Sequence, residues 1–158
     1  MKKDERRKYE SLIHKYANDI IYNATYKTQK EYMQHGKTSV LEHEINVTLC
    51  ALKMANTLRV NVDEKSLIRG SLLHDYFLYD WHVYDKSHKL HGFSHAKVAL
   101  ENASNDFELN DIEKNMIYCH MFPLNLRIPR YKESLILCLA DKIIATKETI
   151  HRKTKKGY

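Results

Sequence analysis

The sequence predicts an all-α fold, a compact single-domain helical bundle, on three observations. The chain has 158 residues, which is the length of one domain that can bury a hydrophobic core. Hydrophobic residues make up 43% and charged residues 29% of the chain, as in an ordinary soluble globular protein. Only 4 Gly and 2 Pro are present, too few for the turns of a strand-rich fold. Helices joined by a few loops therefore fit the composition best.

The predicted helices follow one another along the chain with one long interruption. Three of them begin at residues of N-cap type, which are Thr38 or Ser39, then Asp63, then Asn110 or Asp111. An aromatic and polar loop over 77–92 is the longest irregular stretch, and loops of that length are often functional. The predicted helices span 4–21, 27–33, 39–58, 63–76, 93–107 and 110–120, and the last begins near 132.

The net charge of +6 favours an anionic partner. Much of the excess positive charge lies at the two ends, over 2–8 and 152–156, where charged residues usually form solvated tails. This distribution argues against nucleic acid as the partner. Exposed helical faces allow a homodimer.

The sequence also predicts a cytoplasmic protein. The charged first residues lead into no apolar segment of signal-peptide type, and the apolar runs are too short and too often broken by charge to span a bilayer. The isolated cysteines Cys50, Cys119 and Cys138 lie in apolar helical contexts, which indicates buried, reduced thiols. We therefore expect no membrane segment and no disulfide.

A histidine and an aspartate, His43 and Asp141, lie on helical faces that are otherwise apolar. His43 shares a stripe with Val47 and Cys50, at spacings that point it toward the core. Asp141 has Leu137 and Ile144 as helical neighbours, and a buried carboxylate without a partner costs about 3 kcal/mol or more. Such an Asp needs a metal ion or a basic side chain beside it.

The adjacent pair His74 and Asp75 follows the small residues Gly70 and Ser71, which let another helix or a ligand come close. Consecutive helical residues point about 100° apart, so the pair converges on one ion only if that ion lies between them and a packed neighbour. Imidazole and carboxylate ligands together suit Fe, Mn, Zn, Co or Ni better than Ca or Mg.

The order of these residues resembles the H…HD…D pattern of the HD-domain phosphohydrolases. His43, then His74 and Asp75, then Asp141 fill the pattern, within the flanking segments TSVLEH, LLHD and LADK. The resemblance covers about 35–148 of a single domain over 1–158 and implies that these four residues bind a divalent transition metal.

Two later segments resemble the binuclear branch of the same superfamily. They are HGFSHA at 91–96 and YCH at 118–120. The resemblance implies that His91 and His120 bind a second metal beside a bridging Asp75, so that one or two ions of Fe, Mn, Zn, Co or Ni are the expected cofactors. His95 occupies the place of a family glycine, and it either contacts the substrate or replaces His91 as the ligand.

The resemblance implies hydrolysis of a phosphate ester or anhydride by a metal-activated water. The sequence contains no GxSxG or Walker A motif, which are the signatures of a protein nucleophile or a phosphate-binding loop. Asp75 would orient the water, whereas Lys142, His35 and His95 are candidate donors to phosphate oxygens. We therefore assign Asp75, Lys142 and His95 catalytic roles.

The chain departs from one part of the family at Leu78. Some nucleotidase members have a catalytic Glu three residues after the HD aspartate, where this chain has Leu78, so a mononuclear 5′-deoxynucleotidase is disfavoured. Asp80 and His82 are the hypothetical replacements for that acid. With His35 and Lys142 they form the predicted substrate-binding set.

Three functions are compatible with these residues. The leading one is a hydrolase acting on a small phosphorylated substrate, a nucleotide. The alternatives are a catalytically silent metal- and nucleotide-binding regulatory module, and a di-iron protein of oxygenase type on the same scaffold. The complete ligand set favours the enzyme over the silent module.

Overall fold

A computed structural model describes residues 1–35, 38–80 and 91–154, with the backbone alone for 35, 91, 93 and 151–154. These ranges form eight α-helices, one 3-10 helix at Thr28–Glu31 and the strands β1 (Met33–His35) and β2 (Thr38–Ser39), which confirms the all-α prediction. The helices are α1 (Lys3–Tyr16), α2 (Asn18–Ile21), α3 (Ala24–Lys27), α4 (Val40–Thr57), α5 (Glu64–Leu72), α6 (His91–Asp106), α7 (Asp111–Cys119) and α8 (Lys132–Thr154).

The predicted first helix over 4–21 is wrong in one respect, because the chain bends at Ala17. This residue has φ −134° and ψ 30°, outside the helical region, and α2 starts immediately after it. Asp19 lies in the first turn of α2, where a negative charge favours the helix start. The bend also brings Asp19 to α5, where Arg69 Nη1 donates to its Oδ1 over 2.6 Å.

The predicted helix over 27–33 is also wrong. Asn23 caps the short α3 by accepting a hydrogen bond from the Tyr26 amide, and one 3-10 turn follows. The chain then pairs β1 with β2 in antiparallel register, Met33 opposite Ser39. The short β-hairpin returns the chain to the start of α4, and it lays β1 alongside α4 and α8.

The predicted N-caps are confirmed at three helices. Ser39 rather than Thr38 caps α4, in a capping box with Glu42, and Asn110 rather than Asp111 caps α7 in the same way with Glu113. Asp63 caps α5 by accepting a hydrogen bond from the Ser66 amide. These caps fix the residues at which α4, α5 and α7 begin.

The hydrophobic core lies between α4, α5, α7 and α8. α4 packs against both α5 and α8, α7 packs against α5, α6 and α8, and large side chains such as Leu67, Leu72 and Leu137 are fully buried at these contacts. In the described part of the chain, no helix is long and apolar enough to cross a membrane.

Gly70 permits the close approach of α7 that the small residues predict. A Cβ atom at this position would lie 2.7 Å from Met116 Sδ and 3.1 Å from Met116 Cβ. The absence of a side chain at Gly70 therefore lets α5 and α7 pack in direct contact one turn before His74.

The predicted helix over 63–76 is too long, since α5 ends at Leu72. Leu73 has φ −108° and ψ 2°, and the Tyr76 amide donates back to its carbonyl. His74 and Asp75 therefore lie in a turn beyond the helix end. The turn frees both side chains from the helical angle of about 100° between neighbours, so that they can face the same interior space.

Candidate metal centre

Four histidines and two aspartates meet where the helices converge. All six side chains are buried, and Asp141 is the most exposed at 9%. They come from α4, the turn after α5, α6, the end of α7 and α8, in the order His43, His74 with Asp75, His95, His120 and Asp141.

His43, His74 and Asp141 form the first group, whose donor atoms lie within 4.8 Å of one another. His43 Nε2 is 3.2 Å and His74 Nε2 is 3.8 Å from Asp141 Oδ1. Two ligands that each lie about 2.1 Å from one ion are roughly 3.0 Å apart at a right angle and roughly 3.4 Å apart at the tetrahedral angle. The spacing of the first group therefore fits a single ion.

Asp75, His95 and His120 form the second group, which is as compact as the first. The Nε2 atoms of His95 and His120 lie 2.9 Å apart, and each is 3.3 Å from Asp75 Oδ1. These distances are again close to those expected between ligands of a single ion. The donor set of two imidazoles and a carboxylate suits a transition metal.

Asp75 connects the two groups. Its Oδ1 faces His95 and His120, whereas its Oδ2 lies 3.4 Å from His74 Nε2 and 3.8 Å from His43 Nε2. One carboxylate thus presents one oxygen to each group, which is the arrangement that a bridge between two ions requires.

Hydrogen bonds set the tautomers of three histidines. The Nδ1 of His74 lies 2.8 Å from the Ser71 carbonyl, and that of His120 lies 2.8 Å from the Ile117 carbonyl. His43 Nδ1 lies 2.9 Å from Glu148 Oε2. Because these oxygens only accept, each Nδ1 carries the proton and each Nε2 is left to face the centre, as in metal-binding histidines generally.

Two polar atoms of the centre are buried without a hydrogen bond among the described residues. They are His74 Nε2 and Asp75 Oδ1, one from each side of the bridge. A buried polar atom of this kind costs about 1–3 kcal/mol unless something satisfies it. A metal ion in each group would satisfy both atoms, so the residues fit the ions that the sequence implies.

Burial and neighbouring charge shift the pKa values of the first group in opposite directions. Burial lowers the pKa of His43, but hydrogen bonds with Asp141 and Glu148 outweigh it and raise the value to about 10. Burial lowers the pKa of His74 to about 4. Without an ion, His43 is therefore the protonated imidazole of the group near neutral pH. An ion that binds its Nε2 must displace a proton.

The predicted site residues differ in how the structure places them. Lys142 is half-buried beside the second group, where its Nζ donates to the backbone carbonyls of His120 and Cys138. Asp80 is half-buried at the end of a described range. His82 and the side chains of His35 and His91 lie outside the described residues.

The aromatic segment after Asp75 adjoins the second group. The Phe77 ring is buried and lies 5.9 Å from the His95 ring between centroids, and the Tyr79 ring lies 4.9 Å from Phe77. Burial and the charge of Asp75 raise the pKa of Tyr79 to about 12. Phe77 is thus a packing residue, and the half-buried Tyr79 lies within electrostatic reach of the centre.

The sequence reasoning missed two residues that contact the ligands. Gln34 of β1 donates from Nε2 to Asp75 Oδ2 over 2.5 Å, and Glu148 of α8 binds His43. Glu148 lies seven residues after Asp141, two helical turns along the same face, and this spacing was a usable signal. Gln34 had no such signal, since its contact depends on the β-hairpin.

Comparison with known proteins gives one match. A family model described as HD domain matches residues 40–146, more than half of the chain, and that range contains all six residues of the two groups. No curated protein and no solved structure matches the chain.

Proposed function

Because the chain belongs to the HD-domain family, we propose that it is a metal-dependent phosphohydrolase that hydrolyses a small phosphorylated substrate, a nucleotide, at a binuclear centre. The observation that carries the proposal is the position of Asp75, whose two carboxylate oxygens face two separate groups of metal-binding side chains. A single structural ion would need only one of these groups.

In this proposal His43, His74 and Asp141 would hold one ion and His95 and His120 the other, and Asp75 would contribute one carboxylate oxygen to each. When bound, such ions lower the pKa of a coordinated water and stabilise negative charge on phosphate oxygens. In the overall hydrolysis, the oxygen of water would replace the leaving-group oxygen on phosphorus, and the proton lost by the water would end on the leaving group. We assign the second imidazole position to His95 because its Nε2 lies 3.3 Å from Asp75 Oδ1.

We assign substrate binding to the residues that the sequence predicts for it, of which Lys142 lies beside the second group. Lys142 keeps a donor for a phosphate oxygen, since an ammonium has three N–H groups and two of them serve backbone carbonyls. His35, Asp80 and His82 complete the proposed set. The net charge of +6 favours an anionic substrate.

The test begins with the metal content of protein purified without chelator, measured by elemental analysis. Phosphate release is then measured on a panel of nucleotides and phosphate esters, after reconstitution with Mn²⁺ or Fe²⁺. The variant His74→Ala/Asp75→Ala removes ligands from both groups. A matched variant, His14→Ala/Asp111→Ala, removes the same residue types from exposed positions.

We expect about two ions per chain and phosphate release from at least one nucleotide, both lost in the ligand variant and kept in the matched variant. One ion per chain would remove the second group from the proposal. Metal without phosphate release would favour the silent module or oxygen chemistry. Absence of metal after reconstitution would overturn the proposal.

A further inference from the structure

Gln34 is a buried amide that reaches the bridging carboxylate from outside the helices. Its side chain is part of β1 and is only 6% exposed. Its Nε2 lies 2.5 Å from Asp75 Oδ2, across 41 residues of sequence. The contact therefore connects the β-hairpin to the centre of the site.

The orientation of the amide follows from the chemistry of its partner. An ionised carboxylate only accepts hydrogen bonds, so the NH₂ end of Gln34 must face Asp75. The amide nitrogen of Gln34, and not its oxygen, is the atom that lies against the carboxylate, as this pairing requires. Asp75 is therefore the acceptor and Gln34 the donor.

The bond restricts the direction in which the Asp75 carboxylate can turn. The two oxygens share one carbon, so a donor that holds Oδ2 also determines where Oδ1 points. Oδ2 lies on the side of His74, at 3.4 Å from its Nε2, and Oδ1 lies 3.3 Å from both histidines of the second group. Rotation about the Cβ–Cγ bond of Asp75 would lose both sets of distances together.

We propose that Gln34 is a positioning residue that keeps the Asp75 carboxylate aligned across the two metal-binding groups. The inference rests on the proposed binuclear centre. An oxygen of Asp75 can accept from Gln34 and bind an ion at once, because each carboxylate oxygen has two lone pairs.

The second group depends more on this alignment than the first. The first group contains a carboxylate of its own in Asp141, whereas Asp75 is the carboxylate of the second group. Loss of Gln34 therefore weakens the ion held with His95 and His120 more than the ion held with His43 and His74. A residue that only stabilised the fold would not separate the two ions.

The chain provides a matched control for this contact. Gln29 is fully buried and donates from Nε2 to Glu44 Oε2 over 2.8 Å, which is also a buried bond from an amide to a carboxyl group. Glu44 belongs to neither metal-binding group. Gln29→Leu thus removes an equivalent buried bond that the proposal assigns no role at the metal centre.

The experiment titrates metal-free protein with Mn²⁺ and counts unbound ions by their EPR signal, which needs no substrate. We expect two ions in the wild type. In Gln34→Leu we expect one of the two ions, which the proposal assigns to the second group, to lose about 10–100-fold in affinity, the usual cost of removing a partner of a metal ligand, and the other ion to lose less. Gln29→Leu is expected to keep both affinities, although both variants unfold at a lower temperature than the wild type.

Unchanged affinities in Gln34→Leu, or an equal loss in Gln29→Leu, would overturn the role of Gln34 while leaving the binuclear centre in place. A wild type that binds no Mn²⁺ would overturn the centre and the role together. Gln34→Met, of nearly the same length and without a donor, replaces Gln34→Leu if the latter does not fold.

Discussion

Glu148 Oε2 lies 2.9 Å from His43 Nδ1 and leaves His43 Nε2 to face Asp141 at 3.2 Å. Asn46 donates to the other oxygen of the same carboxylate over 3.3 Å. His74 and His120 bind backbone carbonyls through Nδ1, so their orientation cannot be changed by substituting the acceptor. The partner of His43 is a side chain, which makes its effect on the centre measurable.

Glu148→Ala is expected to weaken the ion of the first group by about 10–100-fold, because His43 loses the acceptor that fixes its ring and increases its basicity. Glu148→Gln keeps an accepting oxygen without the charge, so a smaller loss is expected. Mn²⁺ titration of both variants measures the effect. Glu101→Gln, at an exposed position of α6, controls for the change in net charge. Equal affinities in all variants would contradict the role of Glu148.

Metal affinity should rise with pH. The His43 imidazole has a pKa of about 10 without an ion, and an ion at Nε2 must displace its proton. Between about pH 6 and pH 9 each unit should therefore raise the apparent affinity of the first ion by up to about tenfold. Calorimetry in buffers of different ionisation enthalpy would detect the released proton. A flat profile over this range would show that His43 is already neutral.

The stability of the metal-free protein should follow the opposite trend with pH. The folded pKa of His43 lies above its usual value of 6.5, so its contribution to the free energy of unfolding is complete below about pH 6.5 and is lost as the pH rises through about 10. Urea unfolding of wild type and His43→Gln at several pH values isolates this contribution. An equal pH dependence in the two proteins would contradict it.

His95 and His91 can be distinguished by single substitutions. His95→Ala is expected to remove the second ion, since its Nε2 lies 2.9 Å from that of His120. The family resemblance favours His91 as that ligand instead. Elemental analysis of the two alanine variants decides between them. Loss of one ion in His91→Ala, with two retained in His95→Ala, would reverse the assignment.

Arg69→Ala should destabilise the fold by about 3–5 kcal/mol. The Arg69 Nε lies 3.2 Å from Glu113 Oε1, and Glu113 is only 2% exposed, so the substitution leaves a buried carboxylate without its cation. Arg6→Ala breaks an exposed ion pair with Glu10 and should cost at most about 1 kcal/mol. Urea denaturation compares the two. If both variants lose a similarly small amount of stability, the capping-box hydrogen bond with Asn110 is enough to satisfy the Glu113 carboxylate.

Gly70→Ala is expected to cost about 1–3 kcal/mol, because the new methyl group overlaps Met116 of α7. The cost should shrink when Met116→Ala provides space, which a double-mutant cycle measures. Gly92→Ala, where a Cβ meets nothing within 4 Å, is the control and should be neutral or slightly stabilising. Additive effects of Gly70→Ala and Met116→Ala would contradict the close contact.

The sequence alone was enough to predict three features of the protein. These are the helical class, the caps at Ser39, Asp63 and Asn110, and the set of residues that meets the family pattern. These features are local, because apolar periodicity and N-capping act within about one helical turn. The breaks at Ala17 and after Leu72 were missed, although they too are local. A bend of one residue leaves the helical period of the flanking segments unchanged.

How the ligands converge depends on the packing of the helices and could be seen only in the folded chain. The bond from Gln34 to Asp75 spans 41 residues, and the one from Glu148 to His43 spans 105. The position of His95 beside His120 depends likewise on how α6 packs against α7. Such contacts are determined by helix packing and by the turn at His74 and Asp75, and no pattern within one segment encodes a distance between segments.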